Sequence, residues 1–285
     1  AQLPIKLWYN QPAKAFEESL PIGNGKLGAL IYGGTGTDSI YVNDLTLWTG
    51  TPVDKNEGGD SYKWISKIRE ALFKEDYKTA DSLQHFVQGH NSEYYQPLGL
   101  LKIKDCNQGK VESYYRELDL ENSMASLNYL RNGIRFTREY FASHPDKMIA
   151  IKLGASKKEA INCDISLTSL IPHQAKASQH QITMTGHVTG EEANSIHYCS
   201  VVKVNNTDGE IWATDSTLHL KGVSEAIVYL VNETSYNGFD KHPVKEGAPY
   251  LENVTDDAWH LVNYTYDEFR QRHITDYKQL FNRVS

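Results

Sequence analysis

The chain has 285 residues, of which 40% are hydrophobic and 23% are charged. These values are near the averages of globular proteins and exclude disordered, collagen-like and coiled-coil chains. The 36 Asp and Glu residues outnumber the 29 Lys and Arg residues, which gives a formal net charge of -7. Such a chain repels a nucleic-acid backbone, and no apolar run approaches the roughly 18 residues of a membrane-spanning helix. We therefore expect no nucleic-acid partner and no membrane partner.

The N-terminus and the cysteines bear on where the protein works. Ala1 is a small residue with no initiator Met before it, which suits a chain released by a signal peptidase. We therefore expect a secreted or periplasmic protein. Cys106, Cys163 and Cys199 lie far apart and form no CxxC pair. They predict neither a zinc site nor a disulfide scaffold, and we expect three small buried hydrophobic residues.

Short β-strand patterns separated by turns dominate the chain. The segments that favour strands are 27–32, 39–42, 99–104, 113–120, 124–131, 134–141, 149–153, 163–170, 181–185, 196–204, 216–220 and 225–231. Asn132-Gly133 is the clearest hairpin turn, because both positions of this dipeptide tolerate positive φ. Many short strands of this kind predict a mainly β fold, a large antiparallel β-sandwich.

A helical repeat of three to four residues interrupts the strands once. It covers about 60–86, where apolar residues recur at the spacing of one helix face. Lys74-Glu75-Asp76 divides this stretch into two short helices. We expect a small helical insertion within the sandwich.

The second helical repeat occupies the C-terminus. We expect helices over 256–273 and 275–284, preceded by a Gly- and Pro-bearing loop at 237–250. The chain is accordingly divided into a sandwich domain at 1–250 and C-terminal linker helices at 251–285.

Catalytic motifs are absent from the sequence. It contains no GxSxG, GxxxxGK[ST] or HExxH, and GNGKLG at 23–28 leads into a strand rather than into a dinucleotide-binding helix. Acidic pairs such as Glu17-Glu18 are consecutive, so in a strand their side chains point to opposite faces. Glycoside hydrolysis needs two carboxyl groups close in space rather than in sequence, which leaves other pairs open. We expect no catalytic residue, no metal site and no cofactor.

The most distinctive residues lie in the first fifty. Glycines on both sides of an Asn indicate backbone angles closed to other residues, or close approach by another segment. A Trp at the end of a strand, entering a loop, offers an aromatic face on which sugar rings stack; filling the core is its alternative use. The candidate rim of a sugar pocket consists of Pro21, Gly23, Asn24, Gly25, Asn43 and Trp48.

Seven collinear stretches carry a family resemblance over essentially the whole chain. They are LWYNQPAKAFEESLPIGNGKLGALIYGG (7–34), IYVNDLTLWTGTP (40–52), IREALFKEDYKTADSL (68–83), YYQPLGLLKI (94–103), YYRELDL (114–120), RFTREYFASHPDKMIAIKL (135–153) and DYKQLFNRVS (276–285). Together they resemble the N-terminal region of glycoside hydrolase family 95, the α-L-fucosidases with some α-L-galactosidases. Asp44 stands where that family usually has Glu, and Leu100 stands where it usually has Asp.

The resemblance implies a β-supersandwich, followed in the family by a helical linker and an (α/α)6 barrel that holds the carboxylates of an inverting hydrolase. It implies a non-catalytic N-terminal domain of an exported α-L-fucosidase-like enzyme, whose six candidate residues face the barrel. The implied partners are that barrel and, through the complete enzyme, a fucosylated oligosaccharide or a plant or host glycan. Self-association through the terminal helices is also expected. The alternative is a stand-alone carbohydrate-binding module that stacks sugars on Trp48, Trp64 or Trp212.

Overall fold

The computed structural model describes residues 4–53, 58–89 and 93–284, and Ala1, on which the expectation of export rests, lies outside them. Two antiparallel sheets pack face to face. In spatial order, the nine-stranded sheet contains β1 (Lys6–Tyr9), β6 (Val111–Asp119), β7 (Met124–Arg131), β8 (Ile134–Ser143), β9 (Met148–Ala155), β16 (Glu225–Thr234), β13 (His197–Asn206), β12 (Gln181–His187) and β11 (His173–Ser178). The seven-stranded sheet contains β14 (Glu210–Thr214), β15 (Thr217–Val223), β10 (Ile161–Thr168), β5 (Gly99–Asp105), β4 (Thr37–Asp44), β3 (Leu27–Ile31) and β2 (Leu20–Gly23). The expected antiparallel β-sandwich is confirmed.

Alternation of apolar and polar residues builds the core between the sheets. In β4, Ile40 and Val42 are buried while Tyr41 between them is exposed, as a strand with one buried face requires. The hairpin turn between β7 and β8 is also as expected, with φ of 51° at Asn132 and 71° at Gly133.

The central strands of the nine-stranded sheet are apolar on both faces. Val228 and Leu230 of β16 point into the core of the sandwich. Tyr229 and Val231, which alternate with them, belong to a second apolar cluster on the opposite face. A sheet that is apolar on both faces must be covered twice to remove its surface from water.

Two C-terminal helices provide the second cover. The first, α3 (Tyr250–His260), packs on β13 and β16, and the second, α4 (Tyr266–Phe281), packs on β8. Phe269 of α4 is fully buried and meets the ring of Tyr229 edge-on, with ring centroids 5.6 Å apart. The terminal helices are therefore part of the packed domain.

The break between these helices lies earlier than the sequence predicts. The expected break followed residue 273, whereas α3 ends at His260 and α4 begins after Thr265. The Thr265 side chain accepts a hydrogen bond from the Glu268 backbone amide, and the Glu268 side chain accepts one from the Thr265 amide. This reciprocal capping starts a new helix there.

The helical insertion forms as expected. Its helices are α1 (Tyr62–Phe73) and α2 (Tyr77–Gln84), and the Asp76 side chain caps α2 by accepting a backbone amide of its first turn. Trp64 of α1 stacks on Phe86, which follows α2, with ring centroids 4.3 Å apart, and this contact holds the two helices of the insertion together.

In the described part of the chain, no helix is both long and apolar enough to cross a membrane.

Four strands lie outside the expected segments. They are β1, β2, β11 and β14, which are the edge strands of the two sheets. The sequence favoured a polar loop around His173, where the structure has β11. An edge strand has only one neighbour and tolerates polar residues or Pro, such as Pro21 in β2, so its sequence pattern is weak.

The cysteines follow the expectation only in part. Cys163 and Cys199 are buried, as predicted, and burial raises the pKa of both thiols. Cys106 is exposed in the segment after β5, so the expectation is wrong for this residue.

The packing of α4 predicts unequal effects of two aromatic substitutions. Phe269→Ala should lower the free energy of unfolding by about 3–5 kcal/mol, because it leaves a cavity beneath the helix. Trp259→Ala on α3 is the control, since Trp259 is 68% exposed and its loss should change the free energy by less than about 0.5 kcal/mol. Urea unfolding measures both, and equal effects would contradict the described packing.

Candidate functional site

The turn between β2 and β3 is built around Asn24. Its side-chain oxygen accepts the backbone amides of Lys26 and Leu27 at 3.0 and 2.7 Å, and its amide donates to the Ser143 carbonyl at 2.8 Å. Gly25 has a φ of 90°, which confirms the expected glycine-specific backbone there. The Asn24 side chain thus closes the turn and ties it to the nine-stranded sheet.

The same turn is connected to the C-terminal helices through Asp146. Ser143 donates its hydroxyl to Asp146 at 2.6 Å. The same carboxylate is 3.1 Å from His260 Nε2 on α3 and 2.9 Å from Arg272 Nε on α4. Because this carboxylate is fully buried, its contacts are the charge-assisted kind that hold segments in fixed positions.

A buried polar network joins the two sheets at this end of the sandwich. Asp44, at the end of β4, accepts from the Asn232 side chain at 2.8 Å and from the Thr46 hydroxyl at 2.7 Å. Asn232 in turn accepts from the Ser200 hydroxyl at 2.7 Å, and Thr46 meets Thr234 at 2.6 Å. The carboxylate at position 44 therefore has a defined role in holding the loop that leads to Trp48.

Trp48 lies in an aromatic groove of about 140 Å³ beside this network. It is 44% exposed, forms a bridge with Tyr95 and meets the Tyr95 ring edge-on at 5.8 Å. Phe239 and Tyr236 from the loop after β16 also line this groove. The Trp48 ring is therefore on the surface and not in the core. An exposed ring held in this way can stack against the face of a sugar.

Backbone hydrogen bonds to the segment 94–96 fix the residues immediately before and after Trp48. The Thr49 amide donates to the Tyr94 carbonyl at 2.9 Å, and the Gln96 amide donates to the Leu47 carbonyl at 2.9 Å. Burial raises the pKa of Tyr95 to about 12, and the nearby charge of Asp44 acts in the same direction. The Tyr95 hydroxyl therefore remains protonated beside the groove.

The other candidates lie on the outer surface of the seven-stranded sheet. Gly23 pairs with Gly28, and Gly28 pairs with Asn43, so the three form a row across β2, β3 and β4. Pro21 and Gly23 are exposed, and Asn43 is half-buried. Gly23 lies in regular strand without positive φ, so the expectation of a special backbone is wrong for it. These residues share one end of the sandwich with Trp48 but do not line its groove.

Sequence reasoning missed the partners of Trp48. Tyr95 and Phe239 both lie far from Trp48 along the chain. Tyr95 reaches it through a β-bridge, whereas Phe239, which follows β16, reaches it only because the two sheets pack together. The aromatic residue in a Gly- and Pro-bearing loop was the one available signal for Phe239. Asp44, whose carboxylate holds the loop that leads to Trp48, gave no signal in the sequence beyond its departure from the usual Glu of the family.

A half-buried pair of carboxylates, Glu233 and Asp257, lies between α3 and β16. Lys26 forms an ion pair with Glu233, and Lys147 Nζ lies 3.5 Å from Asp257. Each carboxylate is thus paired with a lysine of the sandwich, because Lys26 immediately precedes β3 and Lys147 immediately precedes β9. The contact between Lys147 and Asp257 therefore connects α3 to the sandwich.

Thr, His and Asp side chains form a row of contacts on the seven-stranded sheet. Thr214 Oγ1 lies 2.6 Å from His219 Nε2, and His219 Nδ1 lies 2.7 Å from Asp164. Trp212 stacks on His219 with ring centroids 5.2 Å apart. Thr214 is exposed on the edge strand β14, and this chain of side-chain contacts joins β14, β15 and β10 on the surface of the sheet. Across 4–53, 58–89 and 93–284, no three His, Cys, Asp or Glu side chains cluster to hold a metal ion.

The carboxylate pair predicts how stability depends on pH. Burial raises the pKa of Glu233 above its ordinary value of 4.5; Lys26 opposes this shift and Asp257 adds to it. The folded state then binds the proton more tightly than the unfolded state, so stability should fall as pH rises from about 4.5 through the raised pKa. Glu233→Gln should flatten this fall in pH-dependent thermal unfolding.

The control for this prediction is Glu225→Gln. Glu225 belongs to the same strand and faces the same side, but it is more exposed and pairs with Lys152. Its substitution should leave the pH profile unchanged. A Glu233→Gln profile parallel to that of the unchanged protein would show that the pair does not titrate in this way.

The chain is similar to α-fucosidases along nearly all of its length. It is 28% identical over 307 residues to “Alpha-L-fucosidase 2” of Arabidopsis thaliana, covering 99% of this chain and 36% of that protein. It is 24% identical over 299 residues to “Probable alpha-fucosidase A” of Aspergillus niger, covering 98% of this chain and 37% of that protein. The chain therefore spans little more than a third of the length of these relatives.

Solved structures and a family model agree with the architecture. A structure titled “Putative kojibiose phosphorylase from human microbiome” matches with a TM-score of 0.55 and 11% identity, over 96% of this chain and 38% of that chain. At this identity the likeness shows the fold alone. The model described as “Glycosyl hydrolase family 65, N-terminal domain” matches residues 7–238. Since that match spans most of the chain and includes both sheets, the protein belongs to this family of N-terminal glycoside hydrolase domains.

Proposed function

We propose that the chain is the non-catalytic N-terminal domain of an exported α-L-fucosidase of glycoside hydrolase family 95. In this proposal it packs against an (α/α)6 catalytic barrel, and the complete enzyme hydrolyses α-L-fucosyl linkages with inversion. The relatives of matching sequence are named as fucosidases, and this chain corresponds to about a third of their length. The remaining length of such a protein would supply the catalytic carboxylates.

The observation that best supports a role at the active-site rim is the exposed ring of Trp48. It is held by the bridge to Tyr95 and by the polar network at Asp44, so little conformational entropy is lost when a ligand contacts it. The groove itself is too small for a whole oligosaccharide, at about 140 Å³, since pockets for such ligands are roughly 300–1,000 Å³. A second domain placed against this end would complete the pocket, with Asn24 and Gly25 beside it.

The alternative, a stand-alone carbohydrate-binding module, is supported by the exposure of Trp48 and Trp212, at 44% and 43%. Trp64 is a weaker platform, because one face is already stacked on Phe86. The two functions differ in what the isolated chain does. A module should bind a fucosylated oligosaccharide through Trp48 without a second domain, whereas a rim domain presents only one wall of the pocket.

The test compares two tryptophans of equal exposure in a polypeptide that carries this domain together with its catalytic domain. Trp48→Ala should lower kcat/KM for 2′-fucosyllactose about tenfold, which is the upper range expected for one lost aromatic stacking contact. It should change kcat/KM for p-nitrophenyl α-L-fucoside much less, because that substrate extends less far toward the rim. The control, Trp212→Ala on the edge strand β14 of the seven-stranded sheet, should leave both values unchanged.

Two results would contradict the proposal. One is an equal effect of Trp48→Ala and Trp212→Ala on the oligosaccharide. The other is hydrolysis of p-nitrophenyl α-L-fucoside by the isolated 285-residue chain, which would place the chemistry within this domain.

A further inference from the structure

A second and larger groove, of about 500 Å³, lies on the outer face of the nine-stranded sheet beside α3. Strands β11, β12 and β13 form its floor, and Tyr250 and Leu251 at the start of α3 form its wall. The groove exists because α3 packs on β13 and β16 and leaves the outward side chains of β12 beside it uncovered. It shares no lining residue with the Trp48 groove.

Three aromatic rings follow one another along this groove. His187 of β12 and His197 of β13 are cross-strand partners, and their ring centroids lie 5.7 Å apart. The ring of Tyr250 follows at 6.2 Å from His197. All three residues are half-buried, so each ring keeps part of its surface open to a ligand. A row of open rings favours ligands with flat apolar faces.

Hydrogen bonds to the backbone hold both histidines in place. His187 Nδ1 donates to the Val188 carbonyl at 2.8 Å, and His197 Nε2 donates to the Glu192 carbonyl at 3.0 Å. In the neutral imidazole, the second nitrogen of each ring is then an acceptor. Burial raises the pKa of Tyr250, so its hydroxyl remains a donor. The row of rings therefore carries both acceptors and a donor.

The remaining lining residues narrow the class of ligand. Gln174 and Thr185, which pair across β11 and β12, add an amide and a hydroxyl. Lys and Arg are absent from the described lining, and Glu192 at its edge would repel an anion. The volume falls within the range of small-ligand pockets, about 300–1,000 Å³, and would admit one or two sugar rings.

We propose that this groove binds a neutral saccharide of one or two rings, with the sugar stacked on His187, His197 and Tyr250. The hydroxyl groups of the sugar donate to the free imidazole nitrogens and exchange hydrogen bonds with Gln174 and Thr185. This site goes beyond the proposed rim function, because it lies outside the Trp48 groove and needs no second domain. It would hold part of a longer glycan against the domain surface.

The test uses lactose, cellobiose and 2′-fucosyllactose as probes, with binding measured by saturation-transfer difference NMR on the intact chain. At least one probe should bind with a millimolar Kd. His187→Ala should weaken that binding about tenfold, since it removes one ring and one acceptor. His187→Phe retains the ring and removes the acceptor, so it should weaken binding less than His187→Ala. It also tests the site if His187→Ala fails to fold.

Two control variants locate the binding. His219→Ala changes a histidine that also stacks on an aromatic ring but lies on the opposite sheet, and it should bind as the unchanged protein does. Trp48→Ala should also leave this binding intact, which separates the inference from the proposed rim function. Failure of all three probes to bind at tens of millimolar would overturn the inference. Undiminished binding in both His187 variants, or loss in Trp48→Ala alone, would overturn it as well.

Discussion

Burial of the nine-stranded sheet on both faces is the constraint from which the rest of this structure follows. In β16, Val228 and Leu230 lie on one face of this sheet, and Tyr229 and Val231 lie on the other. Each apolar face therefore needs its own cover to be removed from water. The seven-stranded sheet provides one cover and the pair α3 and α4 provides the other. Each cover removes apolar surface from water, and at about 25 cal/mol per Å² this is the main favourable contribution to folding.

The two covers are also connected at one end of the sandwich, where buried polar groups replace apolar contacts. Asp146 connects both helices to the loop that receives Asn24, and Asp44 connects β4 to β16 through Asn232. Burying polar groups is energetically tolerable only when all of their hydrogen bonds are formed at the same time. Such a network therefore stabilises a single arrangement of the segments that it joins. The loops at this end, including the one that carries Trp48, are positioned by that arrangement.

Much of the fold could be predicted from the sequence because its central strands alternate or are continuously apolar. The strands that the sequence did not predict are the four edge strands. Pro21 in β2 and His173 in β11 are tolerated there because an edge strand pairs with only one neighbouring strand. The break between α3 and α4 also differed, because the Thr265–Glu268 cap decides it locally. Apolar periodicity alone does not reveal such a cap.

The candidate site was predictable only in part. Trp48 could be recognised as an aromatic residue entering a loop, and Asn24 as a turn residue beside glycine. The groove around Trp48 depends on Tyr95, which a β-bridge brings near it, and on Phe239, which comes near only when the two sheets pack together. The row of His187, His197 and Tyr250 likewise arises only when β12, β13 and α3 pack together. Sites assembled from distant segments are set by topology, and no local pattern encodes them.

Native-state hydrogen exchange of α3 and α4 tests the central claim most directly. If both helices are a structural cover of the nine-stranded sheet, their buried amides, such as that of Phe269, should exchange with the same opening free energy as those of β13 and β16. Fast exchange throughout 250–281, with the strands beneath still protected, would show that the sheet does not need this cover and would contradict the account.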